Sequence, residues 1–303
     1  MPRRFCLGAH PAAEAADILD TACIDNVSFG WLTVALLARD WGFGEVEIIV
    51  RDRDLIAARD TLASAGFRLC NDQFCDQLTD RRRPFLGGGD SAAPFMSPEE
   101  LYSSNRPNKN HQPPAAHFHL DVHYEFCYVL KLYKKSSILR CIPVLEDDPR
   151  NDDPSCVWFS NDRRLPAPAP PDEHGPSGPW NALGPVRILS PATFVEVLTM
   201  LRCRDCGLPR ELGWRQMWTQ LALAQVQLDR PLRPDFKDVW EAAGDFFVRG
   251  VGAQDPLPKL SDLRRRLIAD GEILAEELPI VMTFGCIGGP QSARGFDLEF
   301  KRA

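Results

Sequence analysis

The sequence predicts an α/β (α+β) protein: a small mixed sheet with flanking helices, followed by a helical C-terminal region. Three observations carry this. Helical and strand periodicities alternate between residues 11 and 142. The stretch 143–191 holds eleven prolines, which interrupt regular structure. Beyond 192, helical stripes dominate. The chain accordingly divides into an α/β core (11–142), a proline-rich linker or arm (143–191), a helical region (192–284) and a tail (285–303).

Ala15, Ile18, Leu19, Ala22 and Cys23 recur at three- and four-residue spacing and predict a helix over 11–25, with Pro11 in its first turn. Ser28-Phe29-Gly30 interrupts that pattern. Trp31 to Trp41 is a second, very apolar helix, stopped by Gly42 and Gly44. Glu45-Val46-Glu47-Ile48-Ile49-Val50 is a strand with a buried apolar end. Leu55, Ala58, Leu62 and Ala65 line a helix over 54–65, and Gly66 caps it. Phe67 to Cys70 is a short strand. Residues 81–116, with Gly87-Gly88-Gly89 and six prolines, form a loop. His117 to Tyr124 is a strand, whereas Tyr128 to Cys141 supports no single assignment. Leu165 to Pro171 is polyproline-like. Three helices follow: Pro191 to Arg202, the stripe Trp214, Met217, Trp218, Leu221, Ala224 and Leu228, and the stripe Leu260, Leu263, Leu267, Leu274 and Leu278. Ile280 to Phe284 closes the pattern as a strand.

With 303 residues, 44% hydrophobic and 25% charged, the chain is neither disordered, collagen-like nor coiled-coil. Its net charge of −7 repels phosphate backbones unless the basic residues gather on one face. The basic runs Arg81-Arg82-Arg83 and Arg264-Arg265-Arg266 are short, so nucleic acid is not an expected partner. No apolar run approaches the roughly 20 residues of a membrane helix. The first residues lack the apolar core of a signal peptide. The expectation is a soluble, cytoplasmic protein with no membrane partner, its ten cysteines reduced and mostly buried. Gly-x-Ser-x-Gly, the Walker lysine motif and Gly-x-Gly-x-x-Gly are all missing.

The order of pieces in 17–70 is helix, Phe29-Gly30, helix, a strand with alternating acids, helix, then Gly66-Phe67. It resembles the nucleotidyltransferase fold of the aminoglycoside-modifying and polymerase-beta type. In particular it is similar to largely uncharacterised fungal proteins with a degenerate version of that core. His117-Phe118-His119-Leu120, the Lys134-to-Arg140 segment, the proline-rich middle and the helical end extend the likeness over about 12–230. The resemblance implies nucleotidyl transfer to a small hydroxylated acceptor, with Mg or Mn as cofactor. It implies that Gly30 lies against phosphate and that Thr33 is the nearest hydroxyl, since Trp31 stands where serine is expected. It implies that Glu45 and Glu47 hold metal and that Asp121 supplies a third carboxylate. Glutamate reaches farther than the family's aspartate, so the implied site is atypical or eroded. An eroded site leaves a non-catalytic binding or accessory protein on the same scaffold. Its ligand is then a nucleotide or another small molecule, and no protein partner is indicated.

A separate signal comes from His117, His119, Asp121 and His123. Spaced by two on a strand, their side chains share one face, and Glu125 continues the row. Imidazole and carboxylate suit zinc, iron or manganese, so a third reading is a metal-dependent enzyme on this strand. The fit to His-x-His-x-Asp-His is off by one, with Val122 intervening and His123 late. The cupin spacing fails too, because Glu125 lies five beyond His119. The row spans about 20 Å at 3.3 Å per residue, so one ion reaches only two or three members. A further ligand must then come from elsewhere in the chain. Cys203-Arg-Asp-Cys206 is a lone C-x-x-C, and Cys70 and Cys75 are too widely spaced and too distant to complete it. These thiols are expected to be buried and inert. Gly87-Gly88-Gly89 and the glycines after Phe284 are turn residues.

Overall fold

The computed structural model describes residues 9–38, 45–72, 75, 113–120, 129–166, 183–208, 210–249, 255–274 and 277–278. Helix α1 (Ala9–Thr21) leads into β1 (Asn26–Phe29), α2 (Trp31–Ala38) and β2 (Val46–Val50). Helix α3 (Leu55–Ser64), β3 (Arg68–Cys70), β4 (Ala116–His119), β5 (Val129–Lys134) and a single turn α4 (Lys135–Ile138) follow. Strands β6 (Val157–Phe159) and β7 (Arg187–Leu189) precede α5 (Pro191–Arg204), α6 (Glu211–Leu223), α7 (Pro234–Arg249) and α8 (Leu257–Ala269).

The seven strands form one mixed sheet in the order β3-β4-β5-β2-β1-β7-β6. β2 runs parallel to β5 and β1 parallel to β7; the other neighbours are antiparallel. The α+β class is therefore as expected, but the sheet is larger than the N-terminal pattern implies. β6 and β7 lie inside the stretch read as a proline-rich arm, and they extend the sheet beyond β1. The segment read as a break before Gly30 is itself strand β1. The undecided stretch after Tyr128 is strand β5 turning into α4. Helix α7 had no sequence counterpart. The strand expected at 280–284 lies outside the described residues.

Alternation along the strands divides the core in two. Val46, Ile48, Val50, Leu130, Leu132 and Phe118 pack with α1 and α3 on one face. Val27, Phe29, Ile49, Tyr133 and Leu189 pack with α2, α5 and α6 on the other. Phe29 meets Phe194 and Trp214 edge-on at 5.3 and 6.1 Å. Helix α5 is buried along its whole length, so its charged side chains need partners. Glu196 pairs with Arg230 at 2.8 Å and Arg202 with Glu211 at 3.0 Å.

Asp205, just past α5, is fully buried and gathers the neighbouring donors. Arg204 donates twice at 2.9 Å, the Trp214 indole donates at 2.8 Å, and Arg210 pairs at 2.9 Å. Burial works to raise its carboxyl pKa. Hydrogen bonds from Arg204, Arg210 and Trp214 outweigh burial and hold the carboxyl below its ordinary value. A lowered folded pKa stabilises above the unfolded value, and that stability is lost as pH falls through the folded one. Asp205→Ala should lower stability by about 3–5 kcal/mol at pH 7, because it strands buried guanidinium groups. Urea denaturation should show that gap narrowing as pH drops below the ordinary aspartate range.

Candidate functional site

One row of side chains crosses the sheet on the face that carries Phe29. Phe29 opposes Glu47, Glu47 opposes Lys131, Lys131 opposes His117, and His117 opposes Cys70. Directly opposed residues project to the same side, so five strands contribute adjacent groups. The apolar end lies under the C-terminal helices, and the polar end runs out to the β3 edge.

Glu45 and Glu47 flank the start of β2, as the sequence spacing predicts, but they do not stand open for a metal. The Lys131 ammonium pairs with Glu45 and lies 3.9 Å from Glu47. The Tyr133 hydroxyl donates to Glu47 Oε1 at 3.1 Å. Glu47 Oε2 has no hydrogen-bond partner among the described residues. Burial, partly offset by Lys131 and reinforced by Glu45, pushes the Glu47 carboxyl from 4.5 up to about 7. Gly30 follows β1 with φ +75, and a Cβ there would fall 1.5 Å from Glu47 Oε2. That contact and the left-handed backbone account for glycine at this position. The Thr33 hydroxyl donates to the Ser28 carbonyl at 3.3 Å and is fully buried, so it serves the strand–helix turn. Asp121 and His123 lie outside the described residues.

At the other end of the row, Cys70, Cys75, His117 and His119 come together. One ligand atom from each lies within 4.8 Å of all the others. The two-residue spacing on β4 places His117 and His119 on one face, with ring centroids 5.8 Å apart. Cys70 ends β3 opposite His117. The Cys75 amide donates to the Asp72 carbonyl at 3.2 Å. Cys75 Sγ reaches His119 Nε2 at 3.0 Å. His117 is 5% exposed, and its Nε2 has no hydrogen-bond partner among the described residues. Burial chiefly lowers both histidine pKa values, helped at His117 by His119 and Lys131 and at His119 by Arg68. Both shifts favour the neutral imidazole, the form that binds metal.

The shared face of His117 and His119 is legible in the sequence, whereas their convergence with Cys70 and Cys75 is not, because the cysteines lie on β3 and beyond it, far from β4 in sequence. Cys70 and Cys75 stand with the two histidines, not with Cys203 and Cys206. Cys203 is buried, and its thiol is pushed up to about 12 by burial. Cys206, by contrast, is exposed. No helix among the described residues is long and apolar enough to cross a membrane. The chain matches no protein-family model, no curated protein and no solved structure.

A raised Glu47 pKa means that the folded protein binds this proton more tightly than the unfolded chain. Stability should fall as pH rises from 4.5 to about 7, then level off. Glu47→Gln should remove on the order of 3 kcal/mol of that fall. The pH dependence of the urea midpoint checks this; an unchanged slope in the variant would mean that Glu47 is not the group responsible.

Proposed function

We propose that this chain is a metal-binding protein of the non-catalytic binding or accessory class, holding one zinc ion on Cys70, Cys75, His117 and His119. The observation that carries the reading is the convergence of four ligand atoms within 4.8 Å. A tetrahedron with Zn–S of about 2.3 Å and Zn–N of about 2.0–2.1 Å has edges of roughly 3.3–3.8 Å. Small side-chain rotations close that difference. A two-iron cluster would hold its cysteine and histidine pairs on separate irons, and the compactness of this set favours a single ion. Thiolate with imidazole suits zinc better than magnesium or manganese.

Four protein ligands fill the tetrahedron and leave no position for substrate, which favours a structural role. The ion would tie the chain after β3 to β4 at the edge of the sheet. The acid pair supports nucleotidyl transfer less well. Lys131 already neutralises Glu45 and faces Glu47, where the resemblance calls for divalent cations. A nucleotidyltransferase-like scaffold without transfer chemistry is consistent with both features.

Protein purified without chelator should carry about one zinc per chain. Cobalt(II) put in its place should show the visible absorption of a tetrahedral thiolate-bound ion. Cys75→Ser and His119→Ala should each lose most of the metal, and chelation should lower the melting temperature of the unaltered protein. Metal-free protein that takes up neither ion would sink the reading, as would full zinc retention in a Cys70→Ser/Cys75→Ser variant.

A further inference from the structure

We propose that Cys70 and Cys75 form a redox switch on the metal centre, in which hydrogen peroxide joins the two sulfurs in a disulfide and the zinc leaves. This rests on the zinc reading. The two sulfurs belong to one cluster no more than 4.8 Å across, near enough for side-chain rotation to bring them into contact. The Cys75 amide is held by the Asp72 carbonyl, two residues beyond Cys70. Cys70 is partly exposed, whereas Cys75 is buried beside it. A small oxidant therefore meets Cys70 first and finds a second thiolate directly behind it.

Position in the fold makes the step local. Among the described residues β3 is the edge strand and Cys70 its last residue, so the disulfide closes at the margin of the sheet. His117 and His119 remain held by the pairing of β4 with β5. Two imidazoles alone hold zinc far more weakly than four ligands do.

The electrons balance within the pair and the peroxide. The Cys70 thiolate attacks one peroxide oxygen, the O–O bond breaks, and sulfur becomes a sulfenic acid as hydroxide leaves. The Cys75 thiolate then attacks that sulfur, the S–O bond breaks, and a second hydroxide leaves. Two electrons pass from sulfur to oxygen, and two protons from solvent convert the hydroxides to water. Zinc departs as the aquo ion.

The test uses the intact zinc-loaded protein. Hydrogen peroxide is added in small excess, released zinc is followed with a chromophoric chelator, and alkylated peptides are mapped by mass spectrometry. The expected result is about one zinc released per Cys70–Cys75 disulfide formed, reversed by dithiothreitol with added zinc. A Cys23→Ser/Cys206→Ser variant, lacking two exposed thiols outside the cluster, should release zinc at an unchanged rate. Zinc that stays bound while other thiols oxidise would overturn the switch and leave the zinc reading intact. Release with Cys70 as sulfinic acid, unlinked to Cys75, would do the same. Protein holding no zinc before peroxide is added would overturn the zinc reading and the switch with it.

Discussion

Strand β5 is hydrogen-bonded between β2 and β4, and its register with both decides which face every polar group takes. Lys131 is opposed to Glu47 on one side and to His117 on the other. A slip of one residue would turn Lys131 and Tyr133 into the apolar layer beneath α1 and α3, and Leu130 and Leu132 onto the polar row. Glu47 would then lose its cation and its hydroxyl together. The apolar residues on the opposite face prevent this. Val46, Ile48, Leu130 and Leu132 are buried there, and roughly 1.5–3 kcal/mol for each large side chain holds the register.

The same register sets the electrostatics. A carboxylate buried to 1% exposure survives because an ammonium and a phenol lie against it, and even so its proton leaves only near neutrality. Buried pairs of this kind contribute little net stability, since desolvation offsets attraction. Their value lies in specificity, because only one pairing of β2 with β5 satisfies both charges. Asp205 acts comparably at the end of α5, where three donors converge on one carboxylate and set how α5 and α6 meet.

Edge strands expose unpaired backbone groups, and β3, at three residues, gains little from its ladder alone. The proposed zinc would compensate by joining its last residue to β4 and to Cys75. The proposed metal centre and the acid pair thus lie along one row, with Lys131 between them.

Sequence periodicity by itself determined the α/β character of the N-terminal part, the helices α1, α3, α5 and α6, and the shared face of His117 and His119. These depend on local geometry, in which spacing of 3.6 or 2 residues translates directly into a face. It also placed Glu45 and Glu47 at the start of a strand beside a glycine-led helix. Strands β6 and β7 are not legible in the sequence, because three-residue strands carry almost no periodic signal and the surrounding prolines have the composition of a linker. Tertiary structure alone decided the partners: that Lys131, 84 positions after Glu47, pairs with Glu45 and faces Glu47, and that Cys70 and Cys75 meet His117 and His119 across a gap of more than forty residues. Strand pairing is a contact between segments distant in sequence, and only the whole apolar core, by fixing each register, selects which segments meet.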